Sequence, residues 1–370
     1  MRQSSSQLPD ILTGSFTREL LVNVFHGSDR ALEGLRMESW SLEGDLDSDV
    51  KISGSGSIVY DSVAGESLVP SGTAGDLSAF RTRLELVMQI TAGAVVERVS
   101  LGTFRVTKNG DARDYTATVN GQTRVIGSQV GVTFVSLDES VRRRGFRHPE
   151  QPPSLSSCYT EIRRITGMPV EESVADVAIP AGSTWEAKQG GRLDAVQTLA
   201  SILGGTGVVN SRGAWTVIPD TIGSAVGTIS LGENGTVTDV DYEIDTSTIY
   251  NEIVGVFEDD NRNPIYAYET ASAGSDLDPA GLYEPNTYYI TDDGVKTQAA
   301  ANARVAQELA RWTAGQVYDV PIQCHVNPLP ELGDVLTLTG SDQPLVGQLR
   351  KFSMSDSALM NVTLRAIRSL

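Results

Sequence analysis

The 370-residue chain has only two cysteines, three histidines and 6% aromatic residues. Each shortage excludes something. Cys158 and Cys324 are far apart and fit no metal-ligand spacing. A chain of this length buries a core without disulfides, so two buried free thiols are expected. His26, His148 and His325 have no Cys, His or carboxylate at ligand distance in the sequence and read as surface or core residues. No segment approaches the roughly 20 apolar residues that cross a bilayer, so stable membrane insertion is not expected. Met1–Asp10 is Ser-rich and lacks the apolar stretch of a secretory signal, which predicts synthesis in a cytoplasm without a cleaved signal.

Positive charge is also short. Against 47 acidic residues there are 29 Lys and Arg, giving a net charge of −18 and a pI near 4.6. Tight binding to a polyanion needs cations that displace condensed counterions, so DNA is repelled on average. The same balance suits either plain solubility or a surface past which DNA slides without sticking.

What is abundant is glycine, 36 residues, together with Val, Thr and Ser. That composition favours strands and turns. Glu19–Phe25, Glu38–Leu46, Val50–Tyr60, Phe80–Ile90, Val95–Lys108 and Arg113–Gly121 read as strands, with a long Gly/Ser/Pro loop at 61–79. The middle changes character. After the linker Pro149–Pro153, residues 154–166 and 192–203 read as helices, the second with a buried stripe at Leu193, Val196, Leu199, Ala200 and Leu203. A hairpin follows over 207–218. Strands return at 227, including Val237–Ile244, Ile249–Glu258 and Pro264–Tyr268, then a polar loop at 271–285. Thr291-Asp292 precedes a helix over 295–313 with a small-residue face, and Val317–Cys324, Val335–Thr339, Val346–Met354 and Met360–Ile367 close the chain. The predicted class is mainly β with α+β insertions. Its parts are an N-terminal polar arm (1–15), a first β-barrel-like domain with long loops (16–148), a small α+β domain (149–226) and a second β-barrel-like domain (227–370).

Tests for chemistry give no catalytic, cofactor or metal residues. Asp45-x-Asp47-x-Asp49 begins like a calcium loop, but Val50 and Gly56 stand where Gly and a bidentate Glu are needed. Gly54-Ser55-Gly56 lacks the setting of a dinucleotide fingerprint, and Gly204-Gly205-Thr206-Gly207 follows a helix rather than opening one. Asp259-Asp260 and Asp292-Asp293 read as turn and cap residues, not as a hydrolytic pair. The basic run Arg142–Arg147 is either a docking site for an acidic neighbour or the DNA backbone, or a solvated charge run beside the linker.

The order of elements resembles the tail-hub (baseplate-hub) proteins of long-tailed bacteriophages, among the minor tail proteins. The resemblance rests on the strand Tyr250–Val256, Pro264-Ile265-Tyr266, the helix Thr297–Trp312, the return strand Tyr318–His325, the Pro330-Glu331-Leu332-Gly333-Asp334-Val335 turn and the terminal hairpin. Arg192–Pro219 is similar to the helix-then-hairpin of that family's middle region. It implies a virion protein of the tail tip, forming a homotrimeric ring that joins a sixfold tail tube to a threefold tip. Implied partners are the distal tail or tail tube protein, the tape-measure protein and other tip or fibre proteins, with double-stranded DNA passing transiently during ejection. No cofactor is implied. Some relatives carry a wall-degrading domain after the hub; this sequence ends at Leu370 without one, so no enzyme is expected. The alternative is a tip protein binding a receptor or cell-wall carbohydrate, which needs exposed rings; Trp40, Trp185, Trp215 and Trp312 are the candidates, with core packing expected for Trp215 and Trp312. A wall hydrolase would need an acid–base pair that the sequence does not offer.

Overall fold

Period-two alternation organises the N-terminal half. In the computed structural model, which describes residues 1–62, 65–233, 235–241, 250–275, 277–281, 284–292, 295–313, 316–340 and 344–368, strand β1 (Thr17–His26) buries Leu20, Val22 and Val24. Strand β4 (Thr82–Ala92) buries Leu84, Leu86, Met88 and Ile90. With β2 (Asp29–Asp45), β3 (Ile52–Asp61), β5 (Val95–Val119) and β6 (Gln122–Ser136) they pair in the order β1-β4-β5-β6-β3-β2, and β2 returns to β1. Six strands therefore close on themselves, which removes free sheet edges over the closed part. The protein is mainly β with a large antiparallel sheet, as the sequence predicted.

The glycines of Gly54-Ser55-Gly56 have a packing cause. A Cβ on Gly54 would lie 2.5 Å from the Phe134 ring, and one on Gly56 would lie 2.6 Å from the Met37 sulfur. The barrel is narrow there, and glycine makes room for the large side chains opposite. Val95–Lys108 and Arg113–Gly121, expected as two strands, are one 25-residue strand with irregular register between Gly110 and Arg113. Asp111 adopts φ 45° at that bulge. Its hairpin partner β6 was not predicted, although Asn120-Gly121 (φ 53° and 76°) is the two-residue turn that joins them.

Strand β2 links the closed strands to the rest of the same sheet. Up to Met37 it pairs with β1; past a register shift marked by Ser39 (φ 48°) its residues Ser41–Asp45 pair with β16 (Leu345–Ser355). The sheet continues through β17 (Leu359–Arg368), β14 (Gln316–His325) and β10 (Val237–Val240), while β15 (Val335–Thr339) pairs with β16 and with β9 (Gly227–Ser230). The predicted strand Val237–Ile244 is seen to Val240, and its residues 242–244, like Ile249, lie outside the described residues.

The first 15 residues are not a free polar arm. A short helix α1 (Leu8–Leu12) buries both its leucines, and Arg2 is buried with Nη1 donating to the carbonyls of Pro328 (2.8 Å) and Pro330 (2.5 Å). The two leucines, four residues apart on one helix face, dock a run that is otherwise mostly polar.

The α+β part has helices α2 (Asp138–Arg142, not predicted), α3 (Cys158–Thr166) and α4 (Gly191–Ile202), with the hairpin β7 (Gly205–Val209) and β8 (Trp215–Pro219). Helix α3 begins at 158 rather than 154 because Ser157 caps it, accepting the Thr160 N–H at 3.0 Å; Gly167 in the left-handed region ends it. Tyr159, Ile162, Ile165, Trp185, Leu193, Val196, Leu199 and Trp215 form its core.

Residues up to Val240 with Pro321–Leu364 form one compact unit, and Asp241–Val320 with the last six residues form a second. In the second, β11 (Glu252–Glu258) pairs antiparallel with β12 (Pro264–Thr270) and parallel with β13 (Thr287–Ile290), and α5 (Gln298–Thr313) packs on one face. Ile253, Phe257, Ala267, Ala301 and Val305 form that core. The small-residue stripe expected at Val295, Ala299, Ala303, Ala306, Leu309 and Ala310 is not the packed face: the four alanines are exposed, and Val295, Ala301, Val305 and Leu309 are the buried residues of this segment that join the core.

Candidate functional surfaces

The Asp45–Asp49 loop carries its own cations. Lys51 Nζ donates to the carbonyls of Leu46 (2.8 Å) and Ser48 (2.6 Å), Arg350 pairs with Asp47 (2.6 Å) and Lys351 pairs with Asp45 (3.1 Å). Burial pushes the Lys51 ammonium down, opposed by the nearby carboxylates of Asp138, Asp47, Asp49 and Asp45. Beneath it Asp138 is fully buried and accepts from Lys51 N (2.9 Å), Ser136 Oγ (2.7 Å) and Glu139 N (2.8 Å). This is a structural network around an ammonium, and among the described residues no group of three potential ligands forms a metal site.

The remaining sequence candidates fall apart in space or into structural duty. His26 Nε2 lies 3.0 Å from the Asp76 carbonyl, and His148 Nδ1 lies 3.2 Å from the Pro149 carbonyl. Asp259 holds its own turn, accepting from Asn261 N, Asn263 N and Asn263 Nδ2 at 2.8–2.9 Å. Asp292 pairs with Arg304 at 3.5 Å, and Asp293 lies outside the described residues. Cys158 and Cys324 are buried and unpaired, and burial pushes their thiols up to about 11 and about 12.

The tryptophans are not a platform. Trp40, Trp185 and Trp215 are buried, and Trp312 packs against Tyr250 (4.9 Å) and Tyr288 (5.4 Å). Among the described residues Phe80 and Tyr115 are exposed rings on the first unit, and three exposed tyrosines that the sequence reading passed over cluster on the second. Tyr266, Tyr268 and Tyr289 are 64%, 73% and 68% exposed. Val254 lies opposite both Tyr268 and Tyr289, and Val256 opposite Tyr266, so all five share the sheet face away from α5. Strand alternation, with Ile253, Gly255, Phe257 and Ala267 buried, was the signal.

The basic run divides. Glu139, 5% exposed, receives Arg142 Nε at 2.6 Å and Arg143 Nε at 2.8 Å. Arg144 donates to the Ser140 and Thr166 carbonyls, and Arg192 lies over the Phe146 ring at 4.8 Å. Three of the four arginines of the run are thus used internally. Two of the recesses among the described residues of the first unit bear on a site. One of about 240 Å³ lies among Leu101, Phe104, Val217, Ile218 and Leu332, with Glu171 and Arg212 paired to each other beside it. The other, about 680 Å³, is an open polar groove over β3, β5 and β6 lined by Ser55, Ser57, Lys108, Arg113, Gln129 and Thr133. Neither joins a nucleophile to a base.

No protein-family profile and no curated protein matches the sequence. Solved structures do match. The tail protein from Neisseria meningitidis MC58 superposes over 94% of this chain and 96% of its own, with a TM-score of 0.53 and 13% identity. The 43 kDa tail protein of prophage MuSo2 from Shewanella oneidensis covers 95% of this chain and 98% of its own, with a TM-score of 0.52 and 11% identity. The fold is that of these phage tail proteins, end to end, and agrees with the resemblance read from the order of elements.

Proposed function

We propose that this chain is a structural, non-catalytic component of a long-tailed bacteriophage tail. Three copies form a hub ring at its distal end, mating the sixfold tube to a threefold tip. The observation that carries the reading is the end-to-end fold shared with two phage tail proteins. A head-to-tail contact that closes by rotation makes such a ring. The net charge of −18 suits a channel through which DNA slides during ejection without being held. In this reading the loops 61–79 and 271–285 and the N-terminal segment meet the tube, tape-measure and other tip proteins.

Light scattering on the purified full chain tests it: the expected mass is about three times 39.6 kDa, and labelled antibody should mark the tail tip of intact virions. A single-chain mass at all concentrations, with no tip labelling, would overturn it. One observation favours a second reading, a tip protein that binds a surface glycan: the exposed tyrosines of β12 and β13 offer rings on which sugars stack. Cell-wall binding abolished by Tyr268→Ala would favour that reading.

A further inference from the structure

Arg83 and Arg105 are directly opposed on neighbouring strands β4 and β5. Like charges facing each other across a ladder are unfavourable. Burial, with the charges of Arg143 and Arg83, holds the Arg105 guanidinium below its ordinary value, opposed by Glu139. It nevertheless stays charged, as arginine does in proteins. The one carboxylate nearby, Glu139, is already held by Arg142 and Arg143. Neither Arg83 nor Arg105 makes an ion pair with any described residue, and Arg105 Nε is buried with no hydrogen-bond partner. In a chain with 47 acidic and 29 basic residues, acids to neutralise them are plentiful. The fold nevertheless gives Arg83 and Arg105 none among the described residues.

We infer that Arg83 and Arg105 form a carboxylate-binding surface that docks an acidic segment of a second copy of this chain. A second copy is the partner that charge complementarity selects, because every copy carries the same cationic cluster on an otherwise strongly acidic surface. Such a contact is head-to-tail, between two different surfaces, which is the type that closes into a ring. Planar guanidinium groups match carboxylates in two-point geometry, so they set register as well as attraction. Duplex DNA is disfavoured as the occupant because the surrounding charge repels a polyanion. The inference rests on the ring reading and deepens it by naming the chemistry of one side of the subunit contact.

Two variants of the full chain test it. Arg83→Lys keeps the charge and supplies an amine that a carbodiimide joins to a carboxylate in contact. It should yield covalent dimers and trimers, with mass spectrometry placing residue 83 in a linkage to Asp or Glu of another copy, absent from the wild type. The double variant R83Q/R105Q should lose the trimer at concentrations where the wild type holds it. Raising salt from about 0.05 to about 0.5 M should weaken the wild-type trimer by screening these pairs. A folded, trimeric R83Q/R105Q with no residue-83 linkage in Arg83→Lys would overturn this inference and leave the ring intact. A wild type that is a single chain throughout would overturn the ring reading and this inference with it. Binding of duplex DNA that is lost in R83Q/R105Q would assign the surface to nucleic acid instead.

Discussion

Replacing Glu161 by alanine should destabilise the α+β core by about 3 kcal/mol, and the geometry says why. The carboxylate is 2% exposed. Its Oε2 receives Arg164 Nε at 2.8 Å, and its Oε1 receives Arg164 Nη2 at 2.8 Å and the Trp185 indole N–H at 2.7 Å. Breaking a buried ion pair by removing one partner costs about 3–5 kcal/mol. Here Arg164 is one-third exposed and also reaches Glu150 at 3.2 Å, so its charge finds water and a second acid, which pulls the cost toward the lower end. The buried indole N–H has no such escape, and an orphaned donor costs about 1–3 kcal/mol. Glu161→Gln keeps one acceptor and should cost about 1–2 kcal/mol. A double-mutant cycle with Trp185→Phe isolates the indole bond, whose coupling should be about 1.5–3 kcal/mol because its acceptor is charged. Urea unfolding followed by tryptophan fluorescence, to which Trp185 and Trp215 of this core contribute, reads the two Glu161 variants, Trp185→Phe and the double variant of the cycle. A Glu161→Ala midpoint shift worth less than about 1 kcal/mol, at unchanged slope, would refute the reasoning.

Two further outcomes follow from the buried polar groups. Burial pushes the Glu139 carboxyl up, but the Arg142 and Arg143 guanidinium groups outweigh it and hold the group below its ordinary value. A depressed carboxyl contributes stability that is present above the unfolded value of about 4.3 and is lost as pH falls through the folded one. Glu139→Gln should therefore flatten the acid limb of stability below about pH 4.3, measured by denaturant midpoints across that range. For the cysteines, thiols raised to about 11 and about 12 and buried in α3 and β14 should not react with a thiol reagent at neutral pH until denaturant opens the fold; rapid modification of the native chain would contradict their burial.

How much was legible in the sequence varies with the range of the forces involved. Strands such as β15, whose bounds Val335–Thr339 match the prediction, announce themselves by alternation and flanking turns. The helix stop at Gly167 follows from glycine's access to the left-handed region. The two-strand reading of β5 failed because a bulge and a break look alike locally, and only the partner strand β6 tells them apart.

Local pattern and composition by themselves determined that this chain is mainly β, acidic and without a metal or nucleophile motif. They did so because pleat periodicity, capping and net charge are properties of neighbouring residues. Only the tertiary structure decided which strands close the barrel, that Arg350 and Lys351 pair with Asp47 and Asp45, that Trp40, Trp185 and Trp215 are buried while three tyrosines face outward, and that Arg83 meets Arg105. Those outcomes depend on register between residues far apart in the chain. A one-residue slip would turn each of these side chains to the opposite face.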